Sequence, residues 1–287
     1  MTAAPEVCGF FDSATNAVTY LVWDSASREA VVIDPVLDFD PASGLIEHRS
    51  VRKVLDGAED RQVRIRYVLE THAHADHLSA APAIVEATGA RLGIGARICE
   101  VQKAFAPLFG ADDLKPDGGD FDILLHEGDT LPLGELQIEV IETPGHTPAD
   151  VAYRIGDAAF VGDSLFMPDY GTARTDFPGG DARQLYRSIH KLLNLPPDTR
   201  LFMCHDYKAP DRDEFRWETT VAAERENVHL VGGVTEDAFV AMRESRDAAL
   251  ATPRLLLPSI QVNIRGGRFP PPQPDGSRHL RIPVQLS

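Results

Sequence analysis

The sequence predicts an αββα sandwich of the α+β type, two mixed β-sheets with helices on their outer faces. Three observations point there. Apolar, β-branched runs of strand length come in groups, and a helical pattern follows each group, twice along the chain. Polar or metal-capable residues stand repeatedly at the carboxyl ends of those runs. The 287 residues are 43% hydrophobic and 25% charged, which suits a large folded domain and excludes a disordered or fibrous chain.

Taken in order, Ala17 to Trp23 (AVTYLVW) and Ala30 to Asp34 (AVVID) read as strands, the second ended by Pro35. A charged, weakly helical stretch covers about Leu45 to Asp60. In Val63 to Glu70 (VRIRYVLE), Val63, Ile65, Tyr67 and Leu69 alternate as in a strand with one buried face. From Leu78, the positions Ala81, Ile84, Val85 and Thr88 recur at helical spacing, with Pro82 in the first turn and Gly89 as the stop. Leu136 to Glu142, Val151 to Ile155 and Ala158 to Val161 are three more strands. Asp181 caps a helix whose face carries Leu185, Ile189, Leu192 and Leu193, ended by Asn194 and Pro196-Pro197. Leu201 to Cys204 is a short strand. No linker or internal repeat divides the chain, so a single domain over 1–287 is expected, closing in an extended segment from about 258 to 287 whose part from Gly266 through Ser277 is rich in Gly and Pro.

Charge and cysteine usage narrow the function. The chain has 28 basic and 44 acidic side chains, a net charge of −16, which works against a nucleic-acid partner because phosphate binding relies on clustered Lys and Arg. No run approaches the roughly 18 apolar residues of a membrane span, and no basic, apolar leader opens the chain. Cys8, Cys99 and Cys204 are too few and too scattered for a disulfide framework, so a reducing cytoplasm is the expected compartment. Cys204 precedes a histidine, but a strand-end cysteine packs in the core more readily than it attacks a substrate.

Chemistry concentrates in Thr71-His72-Ala73-His74-Ala75-Asp76-His77, directly after a strand. Three imidazoles and a carboxylate within six residues are ligands for zinc, iron or manganese, whereas calcium and magnesium want oxygen alone. His146, Asp163 and His205 stand at three later strand ends and complete a set of seven donors.

These segments resemble the metallo-β-lactamase superfamily. The resemblance is carried by His72-Ala73-His74-Ala75-Asp76-His77, Gly145-His146-Thr147, Gly162-Asp163-Ser164 and Cys204-His205-Asp206, in that order. It implies one metal site of His72, His74 and His146, a second of Asp76, His77 and His205, and Asp163 bridging. Two further stretches, Asp163-Ser164-Leu165-Phe166 and Gly171-Thr172-Ala173-Arg174-Thr175-Asp176-Phe177, look like the persulfide dioxygenase family. His205-Asp206-Tyr207-Lys208 and Pro258-Ser259-Ile260-Gln261-Val262-Asn263-Ile264-Arg265 look like its bacterial branch, which is similar to proteins described as β-lactamase-like hydrolases.

That resemblance implies one Fe(II) per chain on His72, His146 and Asp163, a two-histidine, one-carboxylate facial set. His74, Asp76, His77 and His205 are then either supporting residues or a second metal site. The implied reaction is oxidation of glutathione persulfide by O2 to sulfite and glutathione, in sulfide detoxification. The alternative is a pair of Zn2+ ions and a glyoxalase II type hydrolase acting on a thioester, although no counterpart of its longer helical C-terminal domain is visible. For the anionic thiol, Arg174 is the first choice of binding residue, with Tyr207, Lys208 and Arg216 behind it. The expected partners are a small thiol persulfide and O2, and the relatives imply a homodimer.

Overall fold

A computed structural model describes residues 4–284; the outermost residues of the expected 1–287 domain lie outside that range. The chain opens with a hairpin of β1 (Glu6–Asp12) and β2 (Ala17–Trp23), then β3 (Glu29–Ile33). A second hairpin, β4 (Val36–Asp40) and β5 (Leu45–Glu47), precedes α1 (Arg49–Asp60). Next come β6 (Arg64–Leu69), β7 (Leu78–Ser79), α2 (Ala81–Thr88), β8 (Arg91–Gly95), α3 (Ile98–Phe109) and β9 (Ile123–Leu125). The second half begins with β10 (Thr130–Leu133), β11 (Leu136–Glu142), β12 (Val151–Ile155) and β13 (Ala158–Phe160). It continues with α4 (Ala182–Leu193), β14 (Arg200–Phe202), β15 (Glu218–Thr220), α5 (Val221–Glu224), α6 (Glu236–Asp247) and α7 (Leu256–Asn263).

Two six-stranded sheets result, ordered β1-β2-β3-β6-β8-β9 and β10-β11-β12-β13-β14-β15, with a small sheet β5-β4-β7 at one side. Both large sheets are mixed: β3, β6, β8 and β9 run parallel, as do β13 and β14, and the other neighbours are antiparallel. Three apolar layers fill the sandwich. Alternate residues of β2 separate them: Val18, Tyr20 and Val22 join Ile138, Val140 and Phe160 between the sheets. Leu21 and Trp23 face the opposite way, with Ile84, Val101 and Phe105 of the outer helices. Ile189 and Leu192 of α4 and Phe239 of α6 cover the second sheet. A strand buried on both faces reads as a continuous apolar run, which is the pattern of AVTYLVW.

The helix stops and caps follow their side chains. Gly89 ends α2 in the left-handed region, and the Asp181 carboxylate accepts from the amides of Arg183 and Gln184 to start α4. Three expectations are corrected. Residues 45–47 pair as β5 before the helix begins at Arg49, and 78–79 pair as β7 before α2. The segment expected to be extended from about 258 starts inside α7, and lacks helix and strand only beyond it. Helix α6 had no apolar stripe to announce it: its buried face holds Phe239 with the ion pair Arg243–Asp247 where two apolar residues would ordinarily sit. No helix of the described residues is long and apolar enough to cross a membrane.

Candidate metal centre

Strands β6, β11, β13 and β14 end along one edge of the sandwich, and the loop after each delivers donors to the same place. Residues 72–77 follow β6, His146 follows β11, Asp163 follows β13 and His205 follows β14. The turn before His146 depends on Gly145, whose φ is +150° and whose missing Cβ would strike the backbone of Leu185 in α4.

Among the described residues, four overlapping donor groups form; two hold the seven expected donors, and the others are Asp34 with His74 and Cys204, and Asp163 with Cys204 and His205. His72, His146 and Asp163 offer atoms that lie within 4.8 Å of one another, and so do His74, Asp76, His77 and His205. Asp163 faces both: its Oδ2 lies 3.9 Å from His72 Nε2 and 3.6 Å from His146 Nε2, while its Oδ1 lies 3.5 Å from His205 Nε2. The first two spans are too long for hydrogen bonds and fit donors that each sit about 2.0–2.2 Å from a shared ion. His74 does not stand with His72 and His146, as the resemblance implied; it joins the other group. The reason is Asp34, whose Oδ1 takes His74 Nε2 at 3.0 Å and leaves only Nδ1 open.

Hydrogen bonds behind the donors set their tautomers. Thr71 Oγ1 donates to Asp34 Oδ2 at 2.9 Å, so it accepts from His72 Nδ1 at 3.0 Å, and the lone pair of His72 Nε2 faces the site. His146 Nδ1 donates to the Arg174 carbonyl at 2.7 Å, and His77 Nδ1 to the Leu78 carbonyl at 3.2 Å. Burial lowers the pKa of His72 far below the usual imidazole value and that of His77 to about 3, with the neighbouring His74 adding to both. Both are therefore neutral ligands at pH 7. For His146 burial acts the same way, but the Asp163 and Asp150 carboxylates, the hydrogen bond to the Arg174 carbonyl and the charge of Asp76 together outweigh it and raise the pKa.

A cation fits this set. Among the described residues, twelve buried side-chain N or O atoms lack a hydrogen-bond partner, and six belong here: His72 Nε2, His74 Nδ1, Asp76 Oδ2, His77 Nε2, Asp163 Oδ1 and His205 Nε2. Each orphaned group would cost about 1–3 kcal/mol, so six aimed at one another make sense as ligands.

Residues beyond the seven expected donors hold the centre. Asp34 follows β3 in the left-handed region at φ 50° and anchors Thr71 and His74 from behind. Asn263 of α7 donates from Nδ2 to the carbonyls of His74 and His77, both at 2.8 Å, and accepts from the Ser79 amide. Glu70 lies 3.3 Å from His74 Nε2. Cys204 is buried, but its Sγ is 3.6 Å from Asp34 Oδ2, so it sits against the polar cluster and not in an apolar layer. Among these, Asp34 alone had a readable signal, as a carboxylate at a strand end before a proline.

A cavity of about 420 Å3 opens over the centre, reaching Asp76, His146 and Asp163. Arg174 and Tyr207 line it. Arg216 does not; it is tied to Glu214, and Lys208 lies over the Phe215 ring, 4.7 Å from its centroid. Arg174 reaches the cavity with its guanidinium already held by Asp176, at 2.6 Å through both Nε and Nη2. The Tyr207 ring stacks on His205, and burial followed by the charges of Asp76 and Asp163 raises its pKa well above the usual phenol value.

Residues 13–205 match the sequence profile of the metallo-beta-lactamase superfamily. The chain belongs to that superfamily. A relative from Burkholderia pseudomallei, named a probable metallo-hydrolase, is 53% identical over 96% of this chain and 98% of its own length. A β-lactamase hydrolase-like protein of Agrobacterium fabrum is 46% identical over 99% of this chain, which spans only 66% of that longer protein. The human mitochondrial persulfide dioxygenase ETHE1 is 33% identical over 69% of this chain and 66% of its own. Among solved structures, ETHE1 from Myxococcus xanthus superposes with a TM-score of 0.74 at 30% identity, over 92% of this chain and all of that one.

Proposed function

We propose that the chain is a non-haem iron dioxygenase that oxidises glutathione persulfide with O2 to sulfite and glutathione. The observation that carries the reading is the convergence of His72, His146 and Asp163, two imidazole nitrogens and one carboxylate, beneath a cavity that opens onto them. The likeness to persulfide dioxygenases from human and to ETHE1 from Myxococcus xanthus supports it. A ferrous ion held by these three residues would supply a redox-active Lewis acid with open positions for a sulfur donor and for O2. Overall, persulfide, O2 and one water give the thiol and sulfurous acid; the terminal sulfur is oxidised, O2 is reduced, and the S–S bond breaks with a proton to the departing thiolate.

The chain's own residues do the rest. Thr71 and the Arg174 carbonyl keep protons on the Nδ1 atoms of His72 and His146, so each Nε2 stays a donor. Tyr207 remains a phenol and offers an O–H to the substrate. Phe166, Tyr170 and Tyr207 form an aromatic side that limits water over the reacting sulfur.

The second group, His74, Asp76, His77 and His205, favours one other reading: a zinc pair that activates water for hydrolysis of a thioester, as in glyoxalase II. The name of the Burkholderia relative leans the same way. Metal analysis combined with O2 uptake on glutathione persulfide tests between them. One iron per chain and O2 consumption are expected; two zinc ions with thioester hydrolysis and no O2 uptake would overturn the dioxygenase.

A further inference from the structure

The cavity over the metal centre has a charge balance opposite to that of the chain. The whole sequence carries 44 acids against 28 bases, yet the cavity lining holds four arginines, Arg174, Arg243, Arg246 and Arg254, and only two acids. Those acids, Asp76 and Asp163, are both metal donors.

The four arginines divide by what they touch. Arg174 is committed to Asp176 and, through Nη1, to the Ala251 carbonyl at 2.8 Å. Arg243 is 2% exposed and gives Nε and Nη2 to Asp247 and Nη1 to the Thr172 carbonyl. These two guanidinium groups shape the protein. Arg246 and Arg254 are exposed, and among the described residues neither side chain makes an ion pair or a hydrogen bond; Arg254 acts on Asp40 only through space. Arg246 lies three positions after Arg243 on α6, so both reach one face of that helix, and Arg254 comes from the segment leading into α7.

We propose that Arg246 and Arg254 form a carboxylate-binding subsite at the mouth of the metal cavity, holding the charged end of a peptide-like thiol whose sulfur lies over the metal donors. The identity of the sulfur end rests on the dioxygenase reading above; the anion subsite rests on the two cations. A guanidinium fork matches a carboxylate bidentately, and two unpaired forks match a ligand with two carboxylates. The cavity, about 420 Å3, is at the lower end of the usual range for small ligands. That suits a tripeptide and leaves most of a nucleotide-bearing thiol such as coenzyme A outside. On so acidic a chain, a local cluster of cations is also what would draw an anionic ligand in against the overall field.

The test is calorimetric titration of the metal-loaded full chain with S-methylglutathione, with its diethyl ester and with coenzyme A, in wild type, Arg246→Ala, Arg254→Ala and the double variant. The acid is expected to bind wild type on the order of tenfold tighter than the ester, the size of one charge-assisted contact. Each single variant should lose several-fold in acid affinity with ester affinity and metal content unchanged, and the double variant should bind both forms alike. Equal binding of acid and ester by wild type, unaltered variants, binding of neither form, or tighter binding of coenzyme A would overturn the proposal. O2 uptake on glutathione persulfide is scored separately. No uptake with the binding pattern intact removes the dioxygenase and keeps the subsite, whereas uptake with an unchanged KM in the double variant keeps the dioxygenase and removes the subsite.

Discussion

The metal donors and the cavity wall above them are built by opposite means. The donors are buried, Asp76 only in part, and the histidines are held from behind: Asp34 and Thr71 fix His72 and His74, the Arg174 carbonyl fixes His146, and Asn263 clamps the backbone of the 72–77 loop. The wall comes from the 171–176 segment and from α6 onward, and it presents side chains such as Arg246, Leu250 and Arg254 to solvent. Because one fold can carry several chemistries, the buried donors and the exposed wall call for separate tests, the first of the metal and the second of substrate choice.

Four substitutions would break or sharpen that contrast. Asp163→Ala strikes the residue that faces both donor groups, and it should empty the centre and lower turnover by on the order of a thousandfold or more. Metal content and O2 uptake check this together; full metal loading would show that Asp163 is not a ligand. Asp34→Asn keeps the shape but weakens the acceptor behind Thr71 and His74, so metal affinity should fall about 10–100-fold in chelator competition. On the wall, Arg174→Ala leaves its carbonyl in place for His146. By loosening the wall that its ties to Asp176 and Ala251 hold, it should raise KM for the persulfide by roughly 3–10-fold while iron content holds, an unchanged KM showing that these ties do not position the wall.

The smallest effect lies behind the wall. Glu224 is buried and linked through Asn227 to the Gly171 carbonyl; burial raises its pKa from 4.5 to about 8, against the opposing Asn227 hydrogen bond and with Asp169 adding to the rise. The folded state thus keeps a proton that the unfolded chain releases. Its contribution to stability is full below about pH 4.5, declines as the pH rises, and is gone above about pH 8. Glu224→Gln should remove that decline, worth on the order of 1–3 kcal/mol. Denaturant melts at pH 5 and pH 8.5 would show it, and parallel losses in both proteins would refute it.

The donors were legible in the sequence because a metal site constrains residue type and places it at strand ends. The strands Ala17–Trp23, Leu136–Glu142 and Val151–Ile155 were legible because apolar runs between turn residues leave little choice. The wall was not. Arg243 and Asp247 occupy the buried face of α6, so its helical period carries no apolar stripe, and Arg246 and Arg254 look like ordinary surface charges until the fold sets them around one cavity. Arg216 showed the reverse: next to a site segment in sequence, it turns instead to Glu214. Asp34 and Asn263 act from 38 and 191 residues away from His72 along the chain (72 − 34 and 263 − 72), a distance over which no local pattern could link them.

The central claim is that His72, His146 and Asp163 hold a single ferrous ion that oxidises a persulfide. Anaerobic loading with Fe(II), followed by glutathione persulfide and a known amount of O2, tests it most directly. One iron per chain and one sulfite formed per O2 consumed are expected. Sulfite formation that is independent of iron, or an iron-loaded chain that leaves both O2 and persulfide untouched while the zinc form cleaves a thioester, would contradict it.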